Sequence, residues 1–136
     1  MIIGYTTGVY DMFHIGHLYL LRNAKAMCDY LIVGVTTDEL SLERKTKRPI
    51  VPYIERVEIV SACRYVDKVV PQSNMDKLSA WENLHFNVVF VGSDWQGTPS
   101  WVKYEDQFRK VGVAVVYLPY TNGISSTYFR NILGIA

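Results

Sequence analysis

The chain predicts an α/β fold of the doubly wound kind: one domain over residues 1–136 built on a parallel five-stranded sheet. Three observations carry this. Short apolar runs with β-branched residues recur at Ile2–Thr7, Tyr30–Thr36, Lys68–Val70, Val88–Val91 and Ala114–Leu118. The stretches between them place apolar residues at helical intervals, and strands alternating with helices imply a parallel sheet wrapped on both faces. At 136 residues the chain has room for one ordinary core, and no linker, repeat or low-complexity stretch divides it. The expected architecture is therefore Rossmann-like.

Each element has its own signal. Ile2-Ile3-Gly4-Tyr5-Thr6-Thr7 is short, apolar and partly β-branched, as a buried first strand should be. Leu18, Leu20, Leu21, Ala24, Lys25 and Met27 then follow helical spacing, with an apolar stripe that packs on a sheet. After the second strand, a helix is predicted over Tyr53–Arg64 from Ile54, Val57, Val60 and Ser61, with Pro52 suited to its first turn. Met75–Leu84 and Val102–Val111 are the other crossover helices. Near the end Gly123 offers a turn, Ser125, Ser126 and Thr127 are N-cap candidates, and a short helix closes near Gly134.

Composition narrows the function. Hydrophobic residues make up 49% and charged residues 20%, and the formal net charge is +1. That balance offers no broad surface for nucleic acid or a membrane, so neither is an expected partner and any positive charge that matters is local. Cys28 and Cys63 lack C-x-x-C spacing and read as small core hydrophobes in a reducing compartment, with no zinc site expected. No signal peptide or membrane-length apolar run is visible, so a cytoplasmic location is expected.

The chemistry concentrates in Gly8-Val9-Tyr10-Asp11-Met12-Phe13-His14-Ile15-Gly16-His17, where the first strand gives way to a helix. Residues three apart share a helical face, so His14 and His17 can converge on one anionic group. Gly16 lets backbone N–H groups approach that group without a Cβ in the way, and the helix start adds amides and the positive end of its dipole. The four-residue H-x-G-H alone reads equally well as two ordinary surface or core histidines. Its place at the carboxyl end of strand one, where open α/β sheets bind ligands, favours a phosphate site.

Three further segments reach the same edge. Glu43–Arg48 reads as a basic loop whose Lys45 and Lys47 can close on a triphosphate and neutralise charge in phosphoryl transfer; a solvated charged loop is the plain alternative. Gly92-Ser93-Asp94-Trp95 closes the fourth strand. Asp94 suits either a base or sugar contact or a loop cap, and Trp95 either stacks on a ring or anchors the loop in the core. The hydroxyls of Ser125, Ser126 and Thr127 suit phosphate oxygens, although N-capping alone explains one of them.

Together these pieces resemble the small nucleotidyltransferases with an H-x-G-H motif, most of all the glycerol-3-phosphate cytidylyltransferases. The matching stretches are Gly8-Val9-Tyr10-Asp11 through His17, Asp29–Val33, Thr37-Asp38-Glu39, Glu55-Arg56, Arg64-Tyr65-Val66-Asp67, Gly92–Trp95 and Gly123–Thr127. They cover almost the whole chain in order. The resemblance implies transfer of CMP from CTP to a phosphorylated alcohol, glycerol 3-phosphate first, with release of pyrophosphate. It implies nucleotide contacts from Thr7, Gly8, Val9, Asp11, Gly16, Gly92, Asp94, Gly123, Ile124, Ser125, Ser126 and Thr127. It also implies transition-state stabilisation by His14 and His17, a clamp from Lys45 and Lys47, substrate contacts from Arg56 and Trp95, Mg²⁺ near Asp11, and a homodimer paired near Arg64–Asp67.

One departure stands out. The family's closing pattern R-T-x-G-I-S-T-[ST] reads Tyr120-Thr121-Asn122-Gly123-Ile124-Ser125-Ser126-Thr127 here. A neutral ring replaces a planar cationic fork, whereas Ser126 keeps a hydroxyl. The chemistry needs no Ser-His-Asp set, because a phosphate monoester with a second pKa of about 6 is already an oxyanion near neutrality. The alternatives are an adenylyltransferase acting on a sugar phosphate and a non-catalytic nucleotide-binding module. A class I aminoacyl-tRNA synthetase shares H-x-G-H, but no K-M-S-K-S follows it in this chain.

Overall fold

In the computed structural model, which describes residues 1–120, 130 and 132–134, five parallel strands form one sheet in the order β3-β2-β1-β4-β5. They are β1 (Ile3–Gly8), β2 (Tyr30–Thr36), β3 (Lys68–Gln72), β4 (Val88–Gly92) and β5 (Ala114–Leu118). The chain winds from β1 toward β3, then crosses back to β4. The reversal leaves a crevice above the carboxyl ends of β1 and β4, the usual ligand position in such sheets.

Alternation along the strands feeds two cores. On one face Leu31, Val33, Val35 and Phe90 meet Leu21 and Ala24 of α1 (Ile15–Lys25) and Val60 of α3 (Tyr53–Ser61). On the other, Tyr5, Ile32 and Val89 meet Trp101 and Phe108 of α5 (Pro99–Lys110), with Leu78 and Leu84 of α4 (Lys77–Leu84) packed against them. Cys28 and Cys63 are free thiols packed at the edge of the first core.

Three expectations change. Glu43, Arg44 and Lys45 are the last residues of a further helix, α2 (Asp38–Lys45), and do not belong to a loop. Thr37 caps it by accepting from the Leu40 N–H at 3.2 Å, with Asp38 and Glu39 in its first turn and Arg44 and Lys45 in its last, as the helix dipole favours. In α3 the buried positions are Arg56 and Val60, while Ile54 is 74% exposed and Ser61 also faces outward. A guanidinium takes the inward position that the apolar pattern gave to its neighbours. Met27 lies past the end of α1 and is exposed.

Gly123–Thr127 lie outside the described residues. Arg130, Ile132 and Leu133 are helical and Gly134 turns left-handed at φ 71°, as a glycine closing a helix does. Among the described residues no helix is long and apolar enough to cross a membrane.

Candidate active site

Between β1 and α1 the backbone adopts an unusual path. Tyr10 and Met12 take left-handed φ values of 56° and 49°, which side-chain-bearing residues hold only where the surroundings impose them. Two buried side chains do so. Asp11, 3% exposed, accepts from the backbone N–H groups of Ile50 and Val51, each at 2.9 Å, and from Arg130 at 2.7 Å. Arg56, fully buried, donates to the carbonyls of Val51 (2.9 Å), Val9 and Thr36 (both 2.7 Å) and to the Asp38 carboxylate at 2.7 Å. Burial alone would raise the Asp38 pKa, but bonds from Arg56 and the Tyr53 N–H hold it below the ordinary value.

The motif loop, the end of β2 and the 50–51 segment are thus braced as one unit. This bracing bears on the roles expected of Arg56 and Asp11. Arg56 lies behind the site, sealed from substrate by the groups it bonds. Asp11 turns its oxygens toward Ile50, Val51 and Arg130, which positions backbone where a metal ligand was expected. Both hold backbone segments around the motif loop.

The first turn of α1 carries the two histidines. Gly16 N–H donates to His14 Nδ1 at 3.1 Å, and His14 N–H donates to His17 Nδ1 at 3.2 Å, a reciprocal cap built from imidazoles. The Gly16 amide is thus a donor within the cap. An imidazole nitrogen that accepts carries no proton, so the proton of each neutral ring sits on Nε2. The rings stack with centroids 3.8 Å apart. Burial, aided by His14 and opposed by Asp11, pushes the His17 pKa down to about 3, and burial lowers His14 as well. At neutral pH the pair consists of two neutral N–H donors.

Two cavities meet here. One of about 550 Å³ covers the crevice, with Thr7, Gly8, Val9, His14 and Gly16 among the residues that line it. The other, about 370 Å³, is basic, bounded by Lys45, Lys47, Arg48 and Arg130. His17 and Lys45 border both. Gly92 and Trp95 line the larger cavity, and Trp95, 42% exposed, does not anchor its loop in the core. Asp94 stands exposed in the 3-10 turn Ser93–Trp95 outside the lining of both cavities. A Cβ on Gly92 would come within 2.1 Å of the Tyr120 hydroxyl, so only glycine leaves room for that ring, which also lines the cavity.

Sequence reasoning missed Lys77 and Arg130. Lys77 opens α4 directly after its cap Asp76, a position that reads as solvated. In the fold it is 5% exposed and donates to Thr7 Oγ1 at 3.0 Å. Burial, with Arg44 adding to it, lowers its pKa to about 8. Arg130 gains its place only through Asp11.

Lys45 and Lys47 are exposed at the rim of the basic cavity. Alanine at either is expected to leave stability within about 0.5 kcal/mol of wild type, as surface changes do, while raising KM or lowering kcat. Thermal melts and steady-state kinetics check this; a double variant with unchanged kinetics would make them solvated surface only.

Comparison with known proteins agrees with this geometry. Residues 5–132 match the model of the family described as cytidylyltransferase-like. The chain is 40% identical over 126 residues to the glycerol-3-phosphate cytidylyltransferase of Bacillus subtilis (strain 168), covering 92% of each. It is 34% identical over 116 residues to the FAD synthase of Thermococcus sibiricus (strain DSM 12597 / MM 739), covering 85% of this chain and 78% of that one. The lipopolysaccharide core biosynthesis protein from Thermoplasma volcanium GSS1 shares the fold, with a TM-score of 0.73 at 23% identity over 89% of this chain and 97% of that one. With its histidines at the carboxyl end of β1 and a match running through nearly every element, the chain belongs to the cytidylyltransferase-like family of nucleotidyltransferases.

Proposed function

We propose that the protein transfers CMP from CTP to a phosphorylated alcohol, with glycerol 3-phosphate the leading acceptor, and releases pyrophosphate. The observation that carries this reading is that His17 and Lys45 border both a roomy cavity and a basic one. About 550 Å³ lies within the size range of small-molecule pockets, and clustered cations suit phosphates. The B. subtilis relative's name supports the choice of acceptor.

The acceptor phosphate, with a second pKa of about 6, is an oxyanion at neutral pH. Its oxygen forms the new bond to the α-phosphorus while the bond from that phosphorus to the α–β bridging oxygen breaks. Pyrophosphate leaves with the electron pair. Negative charge spreads over the oxygens in transit, and two prealigned neutral Nε2–H donors disperse it without taking up a proton. Lys45 and Lys47 act on the phosphate chain, and holding both anions in line supplies the rest.

The described carboxylates do not fit a resident metal. No three His, Cys, Asp or Glu side chains converge among the described residues, and Asp11 is engaged by Ile50, Val51 and Arg130. Mg²⁺ keeps most of its waters and binds readily through substrate phosphates, so in this reading it enters as part of the nucleotide substrate. Base choice rests on groups around Gly92, Asp94 and Gly123–Thr127, with Tyr120 packed beside the nucleotide. Pairing as a homodimer near Arg64–Asp67 belongs to the same reading; Asp67 itself accepts from Lys25 and the Leu31 N–H within one protomer.

The test is a matrix of initial rates with CTP, ATP, UTP and GTP against glycerol 3-phosphate, phosphoethanolamine and other phosphorylated alcohols, for wild type and Tyr120→Arg. Wild type is expected to prefer CTP by about tenfold or more, equivalent to about 1.4 kcal/mol. A matching preference for ATP would make it an adenylyltransferase. Absence of turnover with every pair would make it a nucleotide-binding module.

A further inference from the structure

We infer that Thr46 is a positioning residue whose left-handed turn brings Lys45 and Lys47 to bear on one phosphate chain. This rests on the proposed transfer from a nucleoside triphosphate and adds the device that builds its clamp. Side chains at i and i+2 of an α-helix point about 200° apart, so two such lysines do not face a common ligand. Lys45 is the last residue of α2 and Lys47 follows two positions later, yet both border the basic cavity. The chain must leave the helix between them. Only residue 46 stands there.

Thr46 makes that departure at φ 57° and ψ 17°, while its N–H donates to the Leu42 carbonyl at 2.9 Å and completes the last turn of α2. A left-handed residue at a helix end is usually glycine or asparagine, and a β-branched one is an outlier. Thr46 is exposed, so packing of its side chain does not impose the conformation. Hydrogen bonds on either side do. The Thr46 hydroxyl donates to the Lys45 carbonyl at 2.6 Å, and the hydroxyl of Ser41, a residue 4% exposed, donates to the Lys47 carbonyl at 3.5 Å.

The turn sorts the side chains around it. Ser41 and Lys45, one helical turn apart, line both cavities, whereas Lys47 and Arg48, beyond Thr46, line the basic one alone. A helix continued through residue 46 would carry Lys47 away from the wall that Lys45 shares. Backbone outliers of this kind collect at functional sites, where the surroundings hold them. Since Thr46 gains no burial, what its strained turn secures is the direction of Lys47.

The experiment measures CTP affinity by titration calorimetry, with kcat and KM for CTP alongside, in wild type, Thr46→Pro, Thr46→Asn, Thr46→Gly, Lys47→Ala and the double variant Thr46→Pro/Lys47→Ala. Proline holds φ at about −65° and cannot make the turn, whereas glycine and asparagine accept it. Thr46→Pro should weaken CTP binding about tenfold, as loss of a charged hydrogen bond implies, with a matching rise in KM. Thr46→Asn and Thr46→Gly should stay within about twofold of wild type, as surface changes do. Lys47→Ala should match the proline variant, and the double variant should bind no worse than Lys47→Ala alone, because both changes remove one interaction. Thr46→Val, which keeps the branching but loses the hydroxyl, should move affinity in the same direction as proline and carries the test if Thr46→Pro does not fold. Near-normal affinity in Thr46→Pro, or losses that multiply in the double variant, overturns the assignment of Thr46 alone. Calorimetry needs no turnover, so a wild type that binds CTP but transfers CMP to no phosphorylated alcohol overturns the proposed function while binding still decides on Thr46. A wild type that binds no nucleoside triphosphate overturns both.

Discussion

His14→Ala and His17→Ala should each lower kcat by about two to three orders of magnitude, the usual effect of deleting one prealigned transition-state donor. The rings are stacked and each Nδ1 is engaged by a backbone N–H, so each Nε2–H is set in direction before any substrate arrives. Stability should change far less. Removing a helix cap costs typically about 1 kcal/mol, and His17→Ala in addition loses ring contacts with Tyr10 and Phe13. Single-turnover rates with circular dichroism on the same samples separate the two effects. Near-normal rates in either folded variant would remove that histidine from the chemistry.

Arg56→Met should produce the largest loss of stability, about 3–5 kcal/mol, the range for breaking a buried ion pair by removing one partner. The substitution leaves the carbonyls of Val9, Thr36 and Val51 without this donor and the Asp38 carboxylate without its cation. Against a typical total of about 5–15 kcal/mol, that is a large share. Activity should fall with it, because Val9 belongs to the loop that presents the histidines. Arg56→Lys should not restore either property, since one ammonium cannot reach groups spread around a planar fork. Urea unfolding measures the effect; a loss below about 1 kcal/mol would show that the brace is dispensable.

The strands were legible because burial on both faces demands continuous apolar runs, and Tyr30–Thr36 is one, with six of its seven residues buried. Helix α2 was hidden because only Leu40 and Ser41 are buried in it, too few to make a stripe. The register of α3 was misjudged because the inward residue is Arg56, and a pattern of apolar positions has no place for a buried guanidinium. In the site, the paired histidines were readable since their relation is local to one helical turn. Lys77 and Arg130 were not. Their roles depend on partners 70 and 119 residues away in sequence, which spacing cannot reveal.

The bond between Asp11 and Arg130 also has a consequence for how the protein is born. Chains emerge N-terminal part first, at about 5–20 residues per second, so the histidine motif leaves the ribosome many seconds before residue 130. During that interval Asp11 lacks its cationic partner, and the basic cavity lacks the cation that Arg130 contributes to its wall. A growing chain therefore meets the last contact that braces its first loop only when synthesis reaches the closing helix.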